Sequence, residues 1–153
     1  MTTQALTDRQ QAAWTSYQRM RARLGERLNR ELAREAGLSD ADFEILAHLT
    51  EAPGESARAI ALRCGLEWEK SRLSHQLRRM EQRGLVTREM CAEDNRSTVI
   101  RVTPEGRRLA DAGRRVHQEA VRRYLIDALA PEQLDALGEI ADAVLAGLEE
   151  SHR

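Results

Sequence analysis

Residues 67–103 read EWEKSRLSHQLRRMEQRGLVTREMCAEDNRSTVIRVT, and the order of parts within that stretch decides the architecture. Leu73, Leu77 and Met80 recur at helical spacing, so one side of a helix ending near Arg83 faces a core. At roughly 100° per residue the opposite side carries Trp68, Ser71, His75, Arg78 and Gln82, flanked by Arg72 and Arg79. Gly84 breaks the helix. Two β-rich runs follow, 85–91 and 98–103, with a charged loop expected over 92–97.

Upstream, residues 8–36 have helical spacing, with Trp14, Tyr17, Leu24, Leu28 and Leu32 near one stripe and Gly37 as the stop. Ser39 offers an N-cap, and Asp40 and Asp42 sit where the helix dipole favours anions. Phe43, Ile45, Leu46 and Leu49 follow, and Pro53-Gly54 ends that helix. Ser56 is expected to cap a short third helix running through Cys64, with Ile60, Ala61 and Cys64 on its apolar face. Gly65-Leu66 is the expected turn into the fourth helix. Downstream, Thr103-Pro104-Glu105 is a strong helix start, and that helix is expected to reach about residue 129. Pro131 opens the last helix, with Leu134, Leu137, Ala141, Val144 and Leu148 on a stripe.

This order is what a winged helix-turn-helix requires: one helix for the DNA major groove and a hairpin reaching across the backbone. The expected fold class is mainly α with a small β-hairpin wing, flanked by N- and C-terminal helices. The two flanking helical arms carry apolar stripes that need partners. They can fold back, or pair with the same arms of a second copy.

A chain of 153 residues, 41% hydrophobic and 32% charged, fits one compact domain or a small core with arms. Only five aromatics are present, so aliphatic side chains must do the packing. No apolar run approaches the ~18 residues of a membrane span, and MTTQALTDRQQ has no apolar leader segment. A cytoplasmic location is the expectation. Net charge is −1, yet it is unevenly placed. Residues 70–88 hold six cations (Lys70, Arg72, Arg78, Arg79, Arg83, Arg88) and one acid, whereas residues 127–150 hold seven acids and no Lys or Arg. One local surface is therefore positive on a nearly neutral molecule.

Two cysteines, Cys64 and Cys91, make no disulfide framework and no C-x-x-C. His48, His75, His117 and His152 have no partner at i, i+3 or i+4, so no metal or other cofactor is expected. There is no Gly-rich phosphate loop, no H-E-x-x-H and no G-x-S-x-G, and the Glu67/Glu69 pair lies at an exposed helix start. Nothing motivates an enzyme.

The chain resembles the MarR family of transcriptional regulators over nearly its full length. The segments that carry the resemblance are LSDADFEILAHLTEAPGE, SARAIALRCGLEWEKSRLSHQLRRMEQRGLV and TREMCAEDNRSTVIRVTPEGRRLA. The most specific part is Asp94-x-Arg96 followed by a strand and Thr103-Pro104-Glu105-Gly106. The resemblance implies a homodimer on a pseudo-palindromic double-stranded DNA operator. Its parts would be a dimerisation helix over 1–36, a DNA-binding domain over 37–103 and dimerisation helices over 104–153. It also implies repression, with release by a small aromatic or phenolic effector. Trp14, Tyr17, His48 and His117 are the conceivable liners of that effector's pocket. Two departures bear on which operator is read. Cys91-Ala92-Glu93 stands where many members have Asp-Pro, and the recognition helix opens with the bulky, charged Glu67-Trp68-Glu69-Lys70.

Within such a frame, Arg72 is the best candidate for a guanine contact, because a guanidinium pairs bidentately with O6 and N7. Ser71 and His75 could contact bases or phosphates. Lys70, Arg78 and Arg79 are phosphate candidates, with Ser74 assisting. Trp68 either packs on a sugar or thymine methyl, or covers the helix-turn-helix joint. On the wing, Arg96 is placed to enter a narrow minor groove and Asp94 to orient it, while Arg88 and Arg101 add backbone contacts. Cys64 is expected in the core. Cys91, at a strand end near cations, leaves a redox-responsive regulator as an alternative. A helical adaptor without operator binding is the other, and the cationic 70–88 segment argues against it.

Overall fold

The computed structural model describes residues 4–91 and 94–151, with side chains omitted for residues 91 and 94–96. Six helices and three strands are described: α1 (Asp8–Ala36), α2 (Asp40–Glu51), β1 (Ser56–Arg58), α3 (Ala59–Leu66), α4 (Lys70–Gln82), β2 (Val86–Cys91), β3 (Asp94–Val102), α5 (Pro104–Tyr124) and α6 (Pro131–Glu150). They form two compact units. One comprises Met1–Leu24 with Glu119–Arg153, the other Gly25–Gln118. Helices α1 and α5 contribute residues to both.

In the Gly25–Gln118 unit, local signals set the joints. Gly37 takes a left-handed conformation (φ 65°) and its N–H bonds Ala33 O at 3.2 Å, closing α1. Ser39 and Asp42 then form a reciprocal capping box that starts α2, each side chain accepting the other's backbone N–H at 3.0 Å. Thr103 starts α5: its hydroxyl accepts from Gly106 N at 3.0 Å and donates to Gly84 O at 2.6 Å, tying the helix to the turn after α4.

The third helix departs from expectation. Ser56 does not cap it. Residues Ser56–Arg58 form β1, pairing antiparallel with β3 in the register Ser56↔Arg101, Ala57↔Ile100, Arg58↔Val99, and the sheet order is β1-β3-β2. Helix α3 therefore begins at Ala59 and runs past Cys64 to Leu66. Its inward stripe is Ala59, Leu62 and Leu66, at i, i+3 and i+7, with Leu62 fully buried, while Ile60 is 65% exposed and Cys64 is an exposed free thiol. An eight-residue helix with apolar residues all round has no decisive periodicity, so tertiary contact chose the face.

The wing is also longer than expected. Strand β3 starts at Asp94, opposite Cys91, so Arg96 lies on a strand and not in the expected loop. Side-chain questions about Cys91, Asp94 and Arg96 fall outside the described residues. The core joins Ile45, Leu46 and Leu49 of α2, Leu62 of α3, Leu73, Leu77 and Met80 of α4, and Val86, Ile100 and Val102 of the sheet.

In the other unit, α5 stops at Tyr124, short of the expected residue 129. Pro131 requires an extended residue before it: Ala130 (ψ 156°) and Leu129 (ψ 140°) are extended, and a 3-10 turn over Ile126–Ala128 makes the transition. On α6, Ile140, Val144, Leu145 and Leu148 are each more than half exposed.

Candidate nucleic-acid interface

The exposed side of α4 follows from the burial of its opposite side. Leu73 (4% exposed), Leu77 (2%) and Met80 (0%) face the core, which turns Lys70, Ser71, Arg72, His75, Arg78 and Arg79 toward solvent. Ser74 sits at the boundary, half-buried. Of the two expectations for Trp68, a DNA contact or a cover for the helix-turn-helix joint, the second holds: it is 7% exposed and belongs to the core cluster. The cause is the turn. Glu67 is left-handed (φ 57°) and Trp68 N–H bonds Arg63 O at 3.2 Å, which folds the indole back under the joint between α3 and α4.

The six cations of the 70–88 segment divide by what holds them. Arg83 donates to Asp42 Oδ2 at 2.7 Å and to Gly37 O at 2.9 Å. Arg88 donates to Glu81 Oε2 at 3.2 Å, linking the wing to α4. The Arg72 guanidinium lies 3.8 Å from the centre of the Trp68 ring. Lys70, Arg78 and Arg79 have no carboxylate within ion-pair distance among the described residues. Among the described residues these three have neither an ion pair nor a ring contact, which leaves their charge open to phosphates, while Arg72 lacks an ion pair but is stacked on the indole. Arg101, expected on the backbone side of the wing, donates to Gly54 O at 3.4 Å.

A cavity of about 370 Å³ opens between α3, α4 and the sheet, lined by Arg58, Arg63, Lys70, Ser74, Arg88 and Ile100 among others. None of the four residues considered for an effector pocket borders it. Trp14 and Tyr17 stack on each other at 5.7 Å, both 46% exposed. His117 stacks on Phe43 at 5.1 Å, and His48 packs its ring over the bare Cα of Gly65. Among the described residues no group of three His, Cys, Asp or Glu is gathered for a metal, and no helix is long and apolar enough to cross a membrane.

One cluster was not visible as such in the sequence. Asp42, 3% exposed, accepts from Gln76 Nε2 at 2.6 Å, from Arg83 and from Ser39 N–H, so the start of α2 is bolted to the length of α4. The capping pattern Ser39-x-x-Asp42 signalled the local bond only.

A short antiparallel sheet beside a two-helix turn, with a solvent-facing cationic second helix, defines a winged helix-turn-helix protein of the kind that regulates transcription. The family model of the MarR family matches residues 36–97. Among solved structures, the MarR family regulator AbsC of Streptomyces coelicolor is 36% identical, with 97% of this chain and 99% of that one covered and a TM-score of 0.88. Sco3205 of the same organism, solved in complex with DNA, is also 36% identical, with 95% and 92% covered and a TM-score of 0.88. The S. aureus MepR–DNA complex shares the fold at 17% identity, with 94% and 99% covered and a TM-score of 0.78. Among curated proteins nothing matches the chain. The chain belongs to the MarR family: it is a transcriptional regulator and not an enzyme.

Proposed function

We propose that this regulator is a cytoplasmic, sequence-specific double-stranded DNA-binding repressor that occupies a pseudo-palindromic operator as a homodimer. A small aromatic or phenolic ligand releases it. The observation that carries the reading is the outer face of α4, where Lys70, Arg78 and Arg79 stand exposed, without acidic partners among the described residues, beside Ser71, Arg72 and His75. Arg72 reads a guanine, Ser71 and His75 contact neighbouring bases or phosphates, and Ser74 assists at the edge. Arg88, Asp94 and Arg96 serve the wing, with Arg96 in the minor groove. That Sco3205, 36% identical, was solved in complex with DNA supports DNA binding here.

Residues 1–36 and 104–153 supply the dimer contacts. Exposed Ile140 (62%), Val144 (58%) and Leu148 (57%), spaced four apart along one face of α6, support that assignment. A two-fold dimer sets half-sites ~10 bp apart.

Footprinting on the DNA upstream of its own reading frame tests the proposal, with and without a panel of phenolic acids. The expected result is a protected, near-palindromic site lost on adding one panel member, with affinity falling steeply as salt rises. Arg72→Ala should cost ~1–3 kcal/mol per half-site and relax one base position. A protein that retards no duplex at moderate salt, and shows no salt slope, refutes operator binding.

A further inference from the structure

The base-reading face contains a pair that the sequence reading did not join. Trp68 is 7% exposed, locked into the core below the helix-turn-helix joint, and its ring meets the guanidinium of Arg72 at 3.8 Å. We propose that Trp68 is a specificity-determining positioning residue, whose immobile indole face holds Arg72 in the pose from which it reads a base pair. The inference rests on the operator-binding reading above and concerns how that reading achieves selectivity.

The chemistry favours a clamp of this kind over an ion pair. A guanidinium stacks on an aromatic ring through its flat face, and its N–H donors lie in the plane, at the edge. The stack therefore orders Arg72 while leaving the fork of donors free for guanine O6 and N7. A carboxylate does the reverse. Glu81 engages Arg88 at Nε, an edge donor, at 3.2 Å, so that donor must be freed before it can meet DNA. Among the described residues no carboxylate closes an ion pair on Arg72. Glu44 of α2 feels its charge: burial and Asp40 push that carboxyl's pKa up, and Arg72 pulls against them.

The ring is a fixed platform and not a second mobile side chain. Trp68 N–H is bonded to Arg63 O, the residue before it is held left-handed, and the indole packs within the core. A free arginine loses rotamer freedom on binding, at a cost that weakens the contact it makes; an arginine already stacked has lost much of it in the unbound protein. Arg78 and Arg79, on the same helix, have no ring contact among the described residues, which suits phosphate contacts that tolerate several poses.

The test uses the full-length protein on its footprinted operator and on all single-base variants of one half-site. Four variants are compared with wild type: Trp68→Leu, Trp68→Phe, Arg72→Ala and the Trp68→Leu/Arg72→Ala double. Trp68→Leu should weaken the preference at the base position read by Arg72 by roughly two- to ten-fold per half-site, the span set by one immobilised side chain. Trp68→Phe, which keeps an aromatic face, should lose less. In the Arg72→Ala background Trp68→Leu should change that preference no further.

Additive effects of Trp68→Leu and Arg72→Ala overturn the clamp, as does a sharper preference in Trp68→Leu, which would mean the ring parks Arg72 away from DNA. Arg72→Ala shifting the preference while Trp68→Leu leaves it intact sinks the clamp alone. A wild-type protein that binds no DNA sinks the operator reading beneath it. If Trp68→Leu does not fold, the wild-type protein still decides. Its Arg72 Nε–H NMR resonance should be ring-current shifted and its side chain more restricted by 15Nε relaxation than those of Arg78 and Arg79. An unshifted Arg72 as mobile as Arg78 and Arg79 refutes the proposal.

Discussion

Replacing Asp42 by alanine should destabilise the Gly25–Gln118 unit far more than its surface-like sequence context suggests. Asp42 is 3% exposed and accepts three hydrogen bonds, from Ser39 N–H at 3.0 Å, Gln76 at 2.6 Å and Arg83 at 2.7 Å. Removing one member of a buried charge pair commonly costs ~3–5 kcal/mol, because the other charge is stranded. Here the stranded partner is not deeply trapped: the Arg83 side chain is 44% exposed and keeps its bond to Gly37 O. Water recovers part of its solvation, which brings the estimate to about 2–4 kcal/mol once the lost capping box is included. At ~2–4 °C per kcal/mol for a protein of this size, the midpoint should fall by ~5–15 °C.

Asp42→Asn keeps the volume and one carbonyl acceptor but not the charge, and should cost about 1–2 kcal/mol. Urea unfolding at one fixed protein concentration measures both, since self-association would make stability concentration-dependent. The decisive number is the coupling from Arg83→Ala made in wild-type and Asp42→Ala backgrounds, expected at about 1–3 kcal/mol. A coupling below ~0.5 kcal/mol, or an Asp42→Ala variant as stable as wild type, refutes the assignment of a structural bolt.

Three further outcomes follow from the geometry. A Cβ on Gly106 would lie 2.1 Å from the backbone oxygen of Leu85, and one on Gly65 would lie 2.3 Å from the His48 ring. Both alanine variants should unfold early, but His48→Ala should rescue Gly65→Ala, whereas no side-chain change should rescue Gly106→Ala; equal rescue in thermal melts would contradict this. Arg78→Ala and Arg79→Ala should each lower the slope of log affinity against log salt by ~2, one lost phosphate contact in each half-site, in anisotropy titrations of the dimer on the operator. An unchanged slope removes that residue from the phosphate contacts. Cys64, an exposed thiol, should react promptly with a thiol-specific chromophore in the folded protein, and Cys64→Ser should cost under ~0.5 kcal/mol, as surface substitutions do. Protection until unfolding would place it back in the core.

The parts of this fold that could be read directly were those whose cause is local. Helix α1 closing at Gly37, the Ser39 cap, the Thr103-Pro104 start and the Leu73/Leu77/Met80 stripe each depend on residues within a turn or two of one another. The errors cluster where a distant strand decides. Ser56 looks like a cap because Ser-Ala-Arg ahead of an apolar run satisfies the local pattern. Strand β3, more than 40 residues away, satisfies the same backbone groups with a ladder instead, Ser56 pairing with Arg101. Once those residues are taken into the sheet, α3 starts later and the expected face of Ile60, Ala61 and Cys64 turns outward. One unseen pairing thus accounts for the missed cap, the late helix start and the misplaced cysteine.

The candidate site shows the same division on a finer scale. That α4 has an outer cationic face is a statement about periodicity, and periodicity reveals it. Which cations are free on that face is a statement about partners, and those come from elsewhere. Arg83 and Arg79 are indistinguishable as letters: both are arginines near the end of one helix. Yet Arg83 is held by Asp42, 41 residues away, while Arg79 stands in solvent. Counting charge over 70–88 therefore overstates what can face phosphates, because Arg83 and Arg88 are engaged by carboxylates and Arg72 by an indole. What remains on α4 with neither kind of partner among the described residues is Lys70, Arg78 and Arg79, and Arg88 reaches DNA only by releasing Glu81. The arginines already held divide in turn: an ion pair ties up edge donors in holding the fold, whereas a stack leaves those donors facing out. On that ground the base-reading role is the one we propose for Arg72, and the segment's excess of arginine separates into residues held by the fold and residues left facing out.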